Sequence, residues 1–472
     1  MNSRVVILAA LAVLGGCKAG PDYGRPVAEV PAAYKEAGNW KPAQPREDAV
    51  RGRWWAIFRD PQLDTLVEQI QISNQNVQVA EAKFRQARAL VQSSRAGLFP
   101  TVNGNLAVTR SRSPAGVTGG TTAGRIFTNH SADLEASWEA DVWGRLRRTV
   151  EASEAGAQAS AADLVLALLS AQADLVSNYF QLRILDAQRQ LLDDTVAALR
   201  KSLELTNNRY VAGVAGKVDL VQAETLLRST QAQALDTGVQ RAQFEHAIAV
   251  LLGKPPAEFA IAPAPVAIAM PEIPVGLPSE LLERRPDIAG AERRVAAANA
   301  QVGVAKAAFF PSLILSSSLG YRSTDLSQWF AAPSRFWSFG PALAQAIFDA
   351  GLRRAAEAQA IAAYDASVAT YRQTVLAGFQ EVEDNLAALR LLEEEADVQE
   401  LAASAAREAV VLTINQYKAG TVSYLNVVTL QSTQLTNERA AAGILGRRLA
   451  ASVALIRALG GGWQVPASGG AQ

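Results

Sequence analysis

Polar and apolar residues alternate along four short segments of the chain, which fall into two pairs. Residues 101–112 and 131–138 form the first pair, and residues 312–321 and 337–343 form the second. A period of two residues predicts β-strands, so each pair is a predicted hairpin. In residues 131–138 the apolar side chains alternate with a polar face made of Ser131, Asp133, Glu135 and Ser137. This alternation favours a wall between lipid and water over its alternative, a soluble sheet with one buried face.

Each predicted hairpin is followed by a segment with the period of a helix. Residues 149–208 contain no proline and a single glycine, Gly156, and apolar side chains recur every three or four positions. This stripe predicts a coiled-coil helix, which would extend about 90 Å at a rise of about 1.5 Å per residue. Residues 352–416 repeat the pattern. Because helices in globular proteins average about 11 residues, these two helices predict a long helical shaft.

The same landmarks occur twice in the same order, about 210 residues apart. Residues 80–100 and residues 291–311 both run from an Ala-Glu pair to a Phe-Pro pair at the same spacing. Residues 208–213 match residues 415–420, and both segments end in Ala-Gly. These matches indicate a tandem duplication of one unit, which consists of a helix, a β-hairpin, a very long helix, a tight turn and a further helix.

Two proline-rich segments lie outside the predicted repeats. We interpret the first as a tether that wraps the outside of the protein and the second as the connection between the repeats. The alternative for each is a flexible linker. We therefore divide the chain into a signal peptide (1–16), a lipid-anchored tether (17–61), a first repeat (62–254), an inter-repeat linker (255–286), a second repeat (287–463) and a disordered tail (464–472).

The first seventeen residues have the pattern of a bacterial lipoprotein signal. Arg4 provides a positive charge, residues 5–14 are apolar, and a Leu-Gly-Gly sequence leads to Cys17. Ten apolar residues suit a secretory signal and are too few for a membrane span. The sequence resembles a lipobox, in which cleavage precedes the cysteine and the cysteine is acylated. We therefore predict a covalent lipid on Cys17; the alternative is an ordinary signal peptide that happens to contain a cysteine.

Composition excludes several classes of function. The 45 lysines and arginines balance 45 aspartates and glutamates, so no net charge draws the chain toward nucleic acid. The two histidines, His130 and His246, fall in different predicted elements and indicate neither a Ser/His pair nor a metal site. We expect no catalytic residue, no metal and no cofactor besides the lipid on Cys17.

The predicted strands are also the expected means of crossing a membrane. After residue 20 we find no apolar run of the roughly 20 residues that a membrane-spanning helix requires. Two hairpins supply only four strands, whereas outer-membrane barrels begin at about eight, and an open sheet edge is not tolerated in lipid. The chain is therefore expected to close a barrel with further copies of itself. Small, polar inward faces favour three copies over two, and the choice between three and four copies stays open.

Three motifs resemble those of the TolC-like outer-membrane factor family, in the lipoprotein branch that serves RND-type drug efflux. The motifs are Trp54-Trp55 with Phe58, Asp60-Pro61 and Leu63; the run Gly276 to Ile288; and the run Arg457 to Trp463. The resemblance implies a mixed α and β membrane protein, a trimer whose twelve-stranded outer-membrane barrel continues into a periplasmic α-helical barrel. It also implies a passive exit duct for drugs or other small molecules. The implied partners are a periplasmic adaptor protein and an inner-membrane RND-type pump.

The resemblance assigns a role to the two tight turns. On sequence alone, the glycines that follow residues 210–212 and 417–419 are ordinary helix ends. In the family the corresponding turns mesh with the helical hairpin of the adaptor. The expected adaptor contacts are Ala212, Gly213, Val214, Ala419, Gly420 and Thr421.

The resemblance also implies a gate near these turns. Family members close with a tyrosine and an arginine of the second turn linked to an aspartate of the first, and Tyr417 and Asp219 match two of these three residues. Val422 stands where the arginine is expected. The acidic ring that narrows many family pores falls on Asn426 and Thr429, which carry no charge. Asp219 is equally well interpreted as a plain surface acid.

Two other classes of function compete with the duct. One is a structural lipoprotein that acts as a coiled-coil spacer between envelope layers, but a spacer does not require four strands that alternate polar and apolar faces. The other is a lipid-processing enzyme, for which the sequence offers no nucleophile.

Overall fold

The computed structural model describes residues 18–37, 52–112, 114, 125–264, 270, 271, 273 and 284–461. The chain divides into two compact units. The first unit comprises Met1–Val27, Lys83–Ser160 and Gly290–Tyr371, and the second comprises Ala28–Ala82, Ala161–Ala289 and Arg372–Gln472. The predicted signal peptide, Cys17 and the predicted tail lie outside the described residues.

Two series of elements follow the same order. The first series is α1 (Pro61–Ser73), α2 (Gln75–Ala96), β1 (Thr101–Arg112), β2 (Ile126–Ala140), α3 (Arg145–Val211) and α4 (Lys217–Leu251). The second is α5 (Pro286–Ala307), β3 (Ser312–Ser323), β4 (Arg335–Ala344), α6 (Leu352–Lys418) and α7 (Tyr424–Ala458). Short 3-10 turns lie at Lys35–Ala37, Trp54–Phe58, Pro256–Glu258, Leu326–Gln328 and Ala332–Ser334.

The lengths of the elements confirm the duplication and the mixed α and β fold class. Helices α3 and α6 contain 67 residues each, and helices α4 and α7 contain 35 each. The division of the chain into six segments stays a prediction, because the lengths of the elements do not test its boundaries.

The leading helix of the first repeat differs from its prediction. The predicted unit has one helix before its hairpin, but in the first repeat this helix is broken at Asn74 into α1 and α2. Asn74 adopts an extended backbone conformation, and its Oδ1 accepts a hydrogen bond from the Val77 backbone N–H at 3.0 Å. Its Nδ2 donates to the Leu251 carbonyl at 2.7 Å. Asn74 therefore acts as an N-cap for α2, which a hydrophobic period alone does not reveal.

An aspartate starts each of the two long helices. The Asp141 carboxylate accepts hydrogen bonds from the backbone N–H groups of Leu146 and Arg147, both at 2.9 Å. In the second repeat, Asp349 pairs with Arg353 at 2.6 Å. Carboxylates at these positions satisfy the free N–H groups of the first helical turn and interact favourably with the helix dipole.

The four predicted strands form one antiparallel sheet, and their order in it is β1-β2-β3-β4. Directly paired residues share a face, and one row across the sheet is apolar and exposed where it contains Leu134, Leu319 and Trp337. The next row contains Glu135, Ser318 and Ser338, and the two serine hydroxyls lie 2.8 Å apart. The alternation of the sequence is thus an alternation of whole rows. The connection between β1 and β2 lies largely outside the described residues.

The tryptophan motif around Trp54 packs inside the second unit. Trp54 is buried and donates from Nε1 to the Gln172 side chain at 3.2 Å. The Phe58 ring lies 4.7 Å from the Phe180 ring on α3. These contacts fix the segment before α1 against α3.

We expected no segment after residue 20 to be long and apolar enough for a membrane-spanning helix. By length and composition alone, this expectation is wrong. Helix α3 contains an 18-residue window with a mean hydropathy of 1.5, enough for a helix to cross a membrane by those two criteria. The alanine, leucine and valine of a coiled-coil stripe produce such a value, and 44% of the window is buried within the protein.

Candidate functional site

The turn between α3 and α4 has the geometry of a helix end closed by glycine. Gly213 has a φ of +75°, and its N–H donates to the Tyr210 carbonyl at 2.9 Å. The Val214 N–H donates to the Arg209 carbonyl at 2.8 Å. A left-handed residue with these two bonds satisfies carbonyls that the ending helix leaves free. The three predicted adaptor contacts of this turn, Ala212, Gly213 and Val214, are exposed.

The turn between α6 and α7 repeats this geometry. Gly420 has a φ of +78°, and its N–H donates to the Tyr417 carbonyl at 3.0 Å. The Thr421 N–H donates to the Gln416 carbonyl, also at 3.0 Å. Ala419, Gly420 and Thr421 are exposed. The six predicted contact residues therefore lie on two turns of the same design, while their contact with an adaptor stays a prediction.

Two tyrosines form a core beside the second turn. Tyr417 and Tyr424 are both buried, and their ring centres lie 5.2 Å apart at 61°. They pack with Ala223 of α4 and Val427 of α7. The Tyr424 hydroxyl lies 3.0 Å from the Ser202 hydroxyl on α3. Burial raises the pKa of Tyr424 above its ordinary value because the charged phenolate loses contact with water.

An arginine that the sequence interpretation missed covers Tyr417. The guanidinium carbon of Arg209 lies 4.6 Å from the centre of the Tyr417 ring, and its Nη1 donates to the Lys418 carbonyl at 3.1 Å. The resemblance implies an arginine at position 422, where this chain has valine. The arginine that contacts Tyr417 is instead Arg209, which belongs to α3. The sequence feature that could have identified Arg209 is a difference between the two repeats. Gln416 occupies the equivalent position in the second copy of the motif.

The other predicted gate residues are not brought to Tyr417. Asp219 is half-buried in the first turn of α4, and within the described residues its carboxylate has no hydrogen bond or ion pair. Its charge contributes to the raised pKa of Tyr424. Asn426 and Thr429 are exposed on α7, where the Thr429 hydroxyl donates to the Leu425 carbonyl at 2.9 Å. Within one chain, these residues do not form a closed group with Tyr417.

Apolar side chains are exposed around the first turn. A shallow groove of about 230 Å³ lies nearby, between α4 and α7. The exposed valines are Val211, Val214, Val218 and Val221. The groove is lined by Val221, Gln222, Thr225, Leu226, Ser229 and Val428. This surface is suited to a partner that buries apolar area.

The first residues that the structure describes are held in the first unit by a buried arginine. Arg148 has no exposed side-chain surface, and it donates to the carbonyls of Ala19, Gly20 and Pro21 at 2.9–3.2 Å. It also pairs with Glu151 at 3.0 Å. A buried guanidinium is costly unless it is paired and hydrogen-bonded, and the residues just after position 17 supply these bonds.

The same segment contacts the chain just beyond the C-terminal end of β2. The Ala19 N–H donates to the Trp143 carbonyl at 3.0 Å, three residues beyond β2. The Trp143 ring stacks on Phe310 at 4.7 Å. A Cβ at Gly303 would lie 2.7 Å from the Arg148 Nε, so a larger residue at this position of α5 would displace the Arg148 side chain. Cys17 lies outside the described residues, and its predicted lipid is not tested.

Within the described residues, no three His, Cys, Asp or Glu side chains are grouped as a metal ion would require. The expectation that the protein has no metal or cofactor beyond the lipid stays a prediction.

Comparison with known proteins gives a consistent result. The family model described as outer membrane efflux protein matches residues 66–254 and 277–461. The toluene efflux pump outer membrane protein TtgC of Pseudomonas putida is 32% identical over 467 residues, covering 98% of this chain and 96% of the relative. The pyoverdine export outer membrane protein OpmQ of Pseudomonas aeruginosa is 31% identical, covering 97% and 96%.

Solved structures agree in fold. The outer-membrane channel OprN superposes with a TM-score of 0.89 at 34% identity, over 95% of this chain and 100% of that one. The open state of the MtrE outer membrane channel of Neisseria gonorrhoeae gives a TM-score of 0.83 at 29% identity, over 94% and 98%.

Proposed function

This chain belongs to the outer membrane efflux protein family, and we propose that three copies of it form the exit duct of a tripartite efflux system. It is an outer-membrane channel, as its relatives in efflux and its structural neighbours are. Its function is transport, and membership of this family does not imply a catalytic centre.

The observation that carries the proposal is the four-stranded sheet with two free edges. Among the described residues, strands β1 and β4 each pair with one neighbouring strand, so each has a row of backbone groups without a strand partner there. Such edges are not tolerated in a bilayer. Pairing β4 of one copy with β1 of the next removes both edges, and three copies supply twelve strands.

The two faces of the sheet support this arrangement. The exposed row of Leu134, Leu319 and Trp337 suits hydrocarbon, whereas the row of Glu135, Ser318 and Ser338 suits a water-filled interior. Small residues on the inner row leave the lumen open for solutes.

Two further elements of the proposal concern attachment and partners. A lipid on Cys17 would begin one residue before Lys18 and thus close to Trp143, at the end of the sheet where aromatic rings favour the membrane boundary. The exposed turns at Gly213 and Gly420 would receive a periplasmic adaptor, which links the duct to an inner-membrane RND-type pump. The relatives named for toluene and pyoverdine export support small molecules as the transported class.

A matched pair of charge substitutions tests the barrel. Leu134→Arg puts a charge on the lipid side at a cost of about 2–4 kcal/mol near the bilayer midplane, whereas Asp133→Arg puts one in water. Trimer yield in outer-membrane fractions should therefore fall for Leu134→Arg and stay near wild type for Asp133→Arg. Equal yields for both variants, or a loss only for Asp133→Arg, would contradict the assigned faces and with them the duct.

A further inference from the structure

The apolar face of the sheet becomes basic toward the ends of its hairpins. Every second residue of each strand lies on the face of Leu134, which we call the outer face because the proposed duct turns it toward lipid. On β1 this face has exposed apolar side chains followed by two exposed arginines, in the order Val102, Leu106, Val108, Arg110 and Arg112. On β4 the order is reversed, and Arg335 precedes Trp337 and Phe339. The three arginines therefore lie at the end of the sheet where the hairpins turn.

The length of the apolar part of the outer face matches the thickness of a membrane. Val102 and Arg110 are eight residues apart, which is about 27 Å along a strand at a rise of about 3.4 Å per residue. At the tilt of about 35–45° that outer-membrane strands have, this length spans about 20 Å of height, close to the apolar band of about 25 Å on such barrels. The other end of each strand joins a periplasmic helix. Arg110 is thus expected at the membrane boundary that faces away from the periplasm.

Aromatic rings place the same boundary independently of strand length. The connection between β3 and β4 brings the Trp329 ring to 5.3 Å from the His130 ring on β2. It also brings the Phe330 ring to 5.6 Å from the ring of Tyr321, which is paired directly with Arg335. The Phe330 side chain is 64% exposed. Because aromatic rings favour the membrane–water boundary, that boundary falls at the level of the arginines.

The described part of the chain does not neutralise the three arginines. Their side chains form no ion pair or hydrogen bond with another described residue. The outer face of the four strands contains no aspartate or glutamate, and residues 113–125 add Arg125 and no acid. The connection between β3 and β4 contains Asp325, whose carboxylate accepts hydrogen bonds from the Ser327 backbone N–H and hydroxyl, both at 2.9 Å. The basic charge is therefore available to an external anion.

Closure of the barrel would bring the three arginines together. The proposed pairing of β4 of one copy with β1 of the next forms a seam between two antiparallel strands about 4.8 Å apart. Arg110 and Arg112 lie in the last three residues of β1, whereas Arg335 is the first residue of β4. Antiparallel strands place these two ends side by side. Each seam thus has three guanidinium groups at its hairpin end, contributed by two copies.

We propose that each seam binds the phosphate groups of a phosphorylated glycolipid in the outer leaflet, through Arg110 and Arg112 of one copy and Arg335 of the next. This inference rests on the proposed trimeric duct. The planar donors of a guanidinium match the oxygens of a phosphate, and the apolar residues closer to the helices contact the acyl chains. The outer leaflet of a bacterial outer membrane consists of such lipids, so both parts of the ligand meet this surface at once. Free phosphate would use the arginines alone.

Binding of the lipid to the purified trimer tests the site. The trimer in detergent is titrated with lipopolysaccharide that has a minimal sugar core, and the bound lipid is counted by mass spectrometry of the intact complex. The triple variant Arg110→Gln, Arg112→Gln and Arg335→Gln should bind at least about tenfold more weakly, because it loses the charge-assisted hydrogen bonds to phosphate. Its conductance should equal that of the wild type, since the changed side chains lie outside the lumen.

The matched control is an arginine at the same end of the sheet but on its other face. Arg322 is exposed on β3, is paired with Ser131 of the inner face, and has its guanidinium carbon 4.9 Å from the centre of the Phe336 ring. Arg322→Gln removes the same charge at the same level of the membrane. We expect it to bind the lipid within about twofold of the wild type.

Three further probes identify the ligand. Lipopolysaccharide without its phosphates should bind the wild-type trimer as weakly as the phosphorylated lipid binds the triple variant. Phosphatidylglycerol should bind less tightly than lipopolysaccharide, and equal affinity would overturn the assignment to a glycolipid. Millimolar inorganic phosphate should leave the lipid bound, and its displacement would assign the arginines to free phosphate instead.

The outcomes separate the lipid site from the duct. A wild-type chain that forms no trimer would contradict the proposed function itself. A wild-type trimer that conducts, with equal lipid binding by the triple variant and by Arg322→Gln, would overturn the lipid site alone. Should the triple variant fail to assemble, the three single variants carry the test, and wild-type affinity in all of them would overturn the site.

Discussion

The two helix turns have the same backbone and different surroundings. Gly213 and Gly420 close their helices with φ angles within a few degrees of each other and with equivalent hydrogen bonds. The tyrosine three residues before each glycine differs in position: Tyr210 is 39% exposed, whereas Tyr417 is 5% exposed and packs with Tyr424. Position 217, which matches Tyr424 in the repeat, is an exposed lysine. Duplication kept the turn, and the side chains beside it diverged.

The side chains around the two turns differ in exposure and packing. Valines are exposed around the first turn, and Val211 and Val214 correspond to Lys418 and Thr421 in the second. The second turn instead has the buried tyrosine pair and the Arg209 contact. The first turn therefore offers apolar area to a partner, and the second is held by the rest of its own chain. Both turns keep a glycine, which has no side chain to prevent another chain from approaching the backbone closely.

Bulk at the glycines should have the largest effect. A Cβ at Gly213 or Gly420 would meet no atom of the chain within 4 Å. Valine there costs about 1–2 kcal/mol through its left-handed backbone, which helices of this length absorb. We expect Gly420→Val to keep protein level and trimer intact and to abolish export in cells, and Gly213→Val to do the same. Drug resistance or secretion in cells is the measurement.

The control for added bulk is Gly443→Val, in the interior of α7. A Cβ at that position also meets nothing within 4 Å, and the residue lies outside both turns. Normal export by Gly420→Val, with the adaptor present, would count against docking at the second turn. Normal export by Gly213→Val alone would restrict docking to the second turn.

Truncation of the two tyrosines should separate the turns in stability. Removing a buried aromatic ring costs about 3–5 kcal/mol, so Tyr417→Ala should lower the thermal denaturation temperature of the trimer in detergent. Tyr210→Ala removes an exposed ring and should cost less than about 0.5 kcal/mol. Similar losses for both variants would show that the second turn is not the better-packed one.

Exchange of the apolar and charged positions should affect binding more than stability. Val211→Lys removes apolar area that a partner would bury, worth about 1.5 kcal/mol or tenfold in affinity. Lys418→Val alters the second turn at the equivalent position and should leave affinity for the adaptor within about twofold. Binding of the purified adaptor to the two variants decides the point, and a greater loss for Lys418→Val would reverse the assignment.

The smallest expected effect is a pH dependence of the second turn. Because burial raises the pKa of Tyr424, the folded protein keeps this proton to a higher pH than the unfolded chain does. The stability it contributes is complete below the unfolded pKa of about 10 and is lost as pH rises through the higher folded value. Above that pH, the thermal unfolding temperature should fall more steeply with pH for the wild-type protein than for Tyr424→Phe. Parallel curves of unfolding temperature against pH would contradict the burial argument.

Local pattern predicted the sheet and the long helices because each depends on residues close together in the chain. The register that puts Leu134 beside Leu319 follows from an alternation visible in each strand. The break at Asn74 was missed because a cap is a single side chain that a hydrophobic period does not report. Arg209 was missed for another reason: its partners are more than 200 positions away, and only packing brings them together.

The same distinction applies to the gate. Tyr417 was identified by its place in a motif, which says nothing of its exposure. Asp219 was paired with it by resemblance, but packing places Arg209 on the ring, and the charge of Asp219 contributes to the raised pKa of Tyr424. Asn426 and Thr429 are expected to meet their counterparts at contacts between copies of the chain. Neither the motif nor the structure of a single chain reveals those contacts.

Conductance of the wild-type protein in planar lipid bilayers tests the central claim most directly, namely that this chain forms a water-filled duct by closing its four-stranded sheet with two further copies. The purified protein is separated into trimer and monomer fractions before it is added to the bilayer. We expect discrete, stepwise conductance from the trimer and none from the monomer, whose sheet edges lack the pairing that a neighbouring copy supplies. A stable trimer that inserts into the bilayer and never conducts would contradict it.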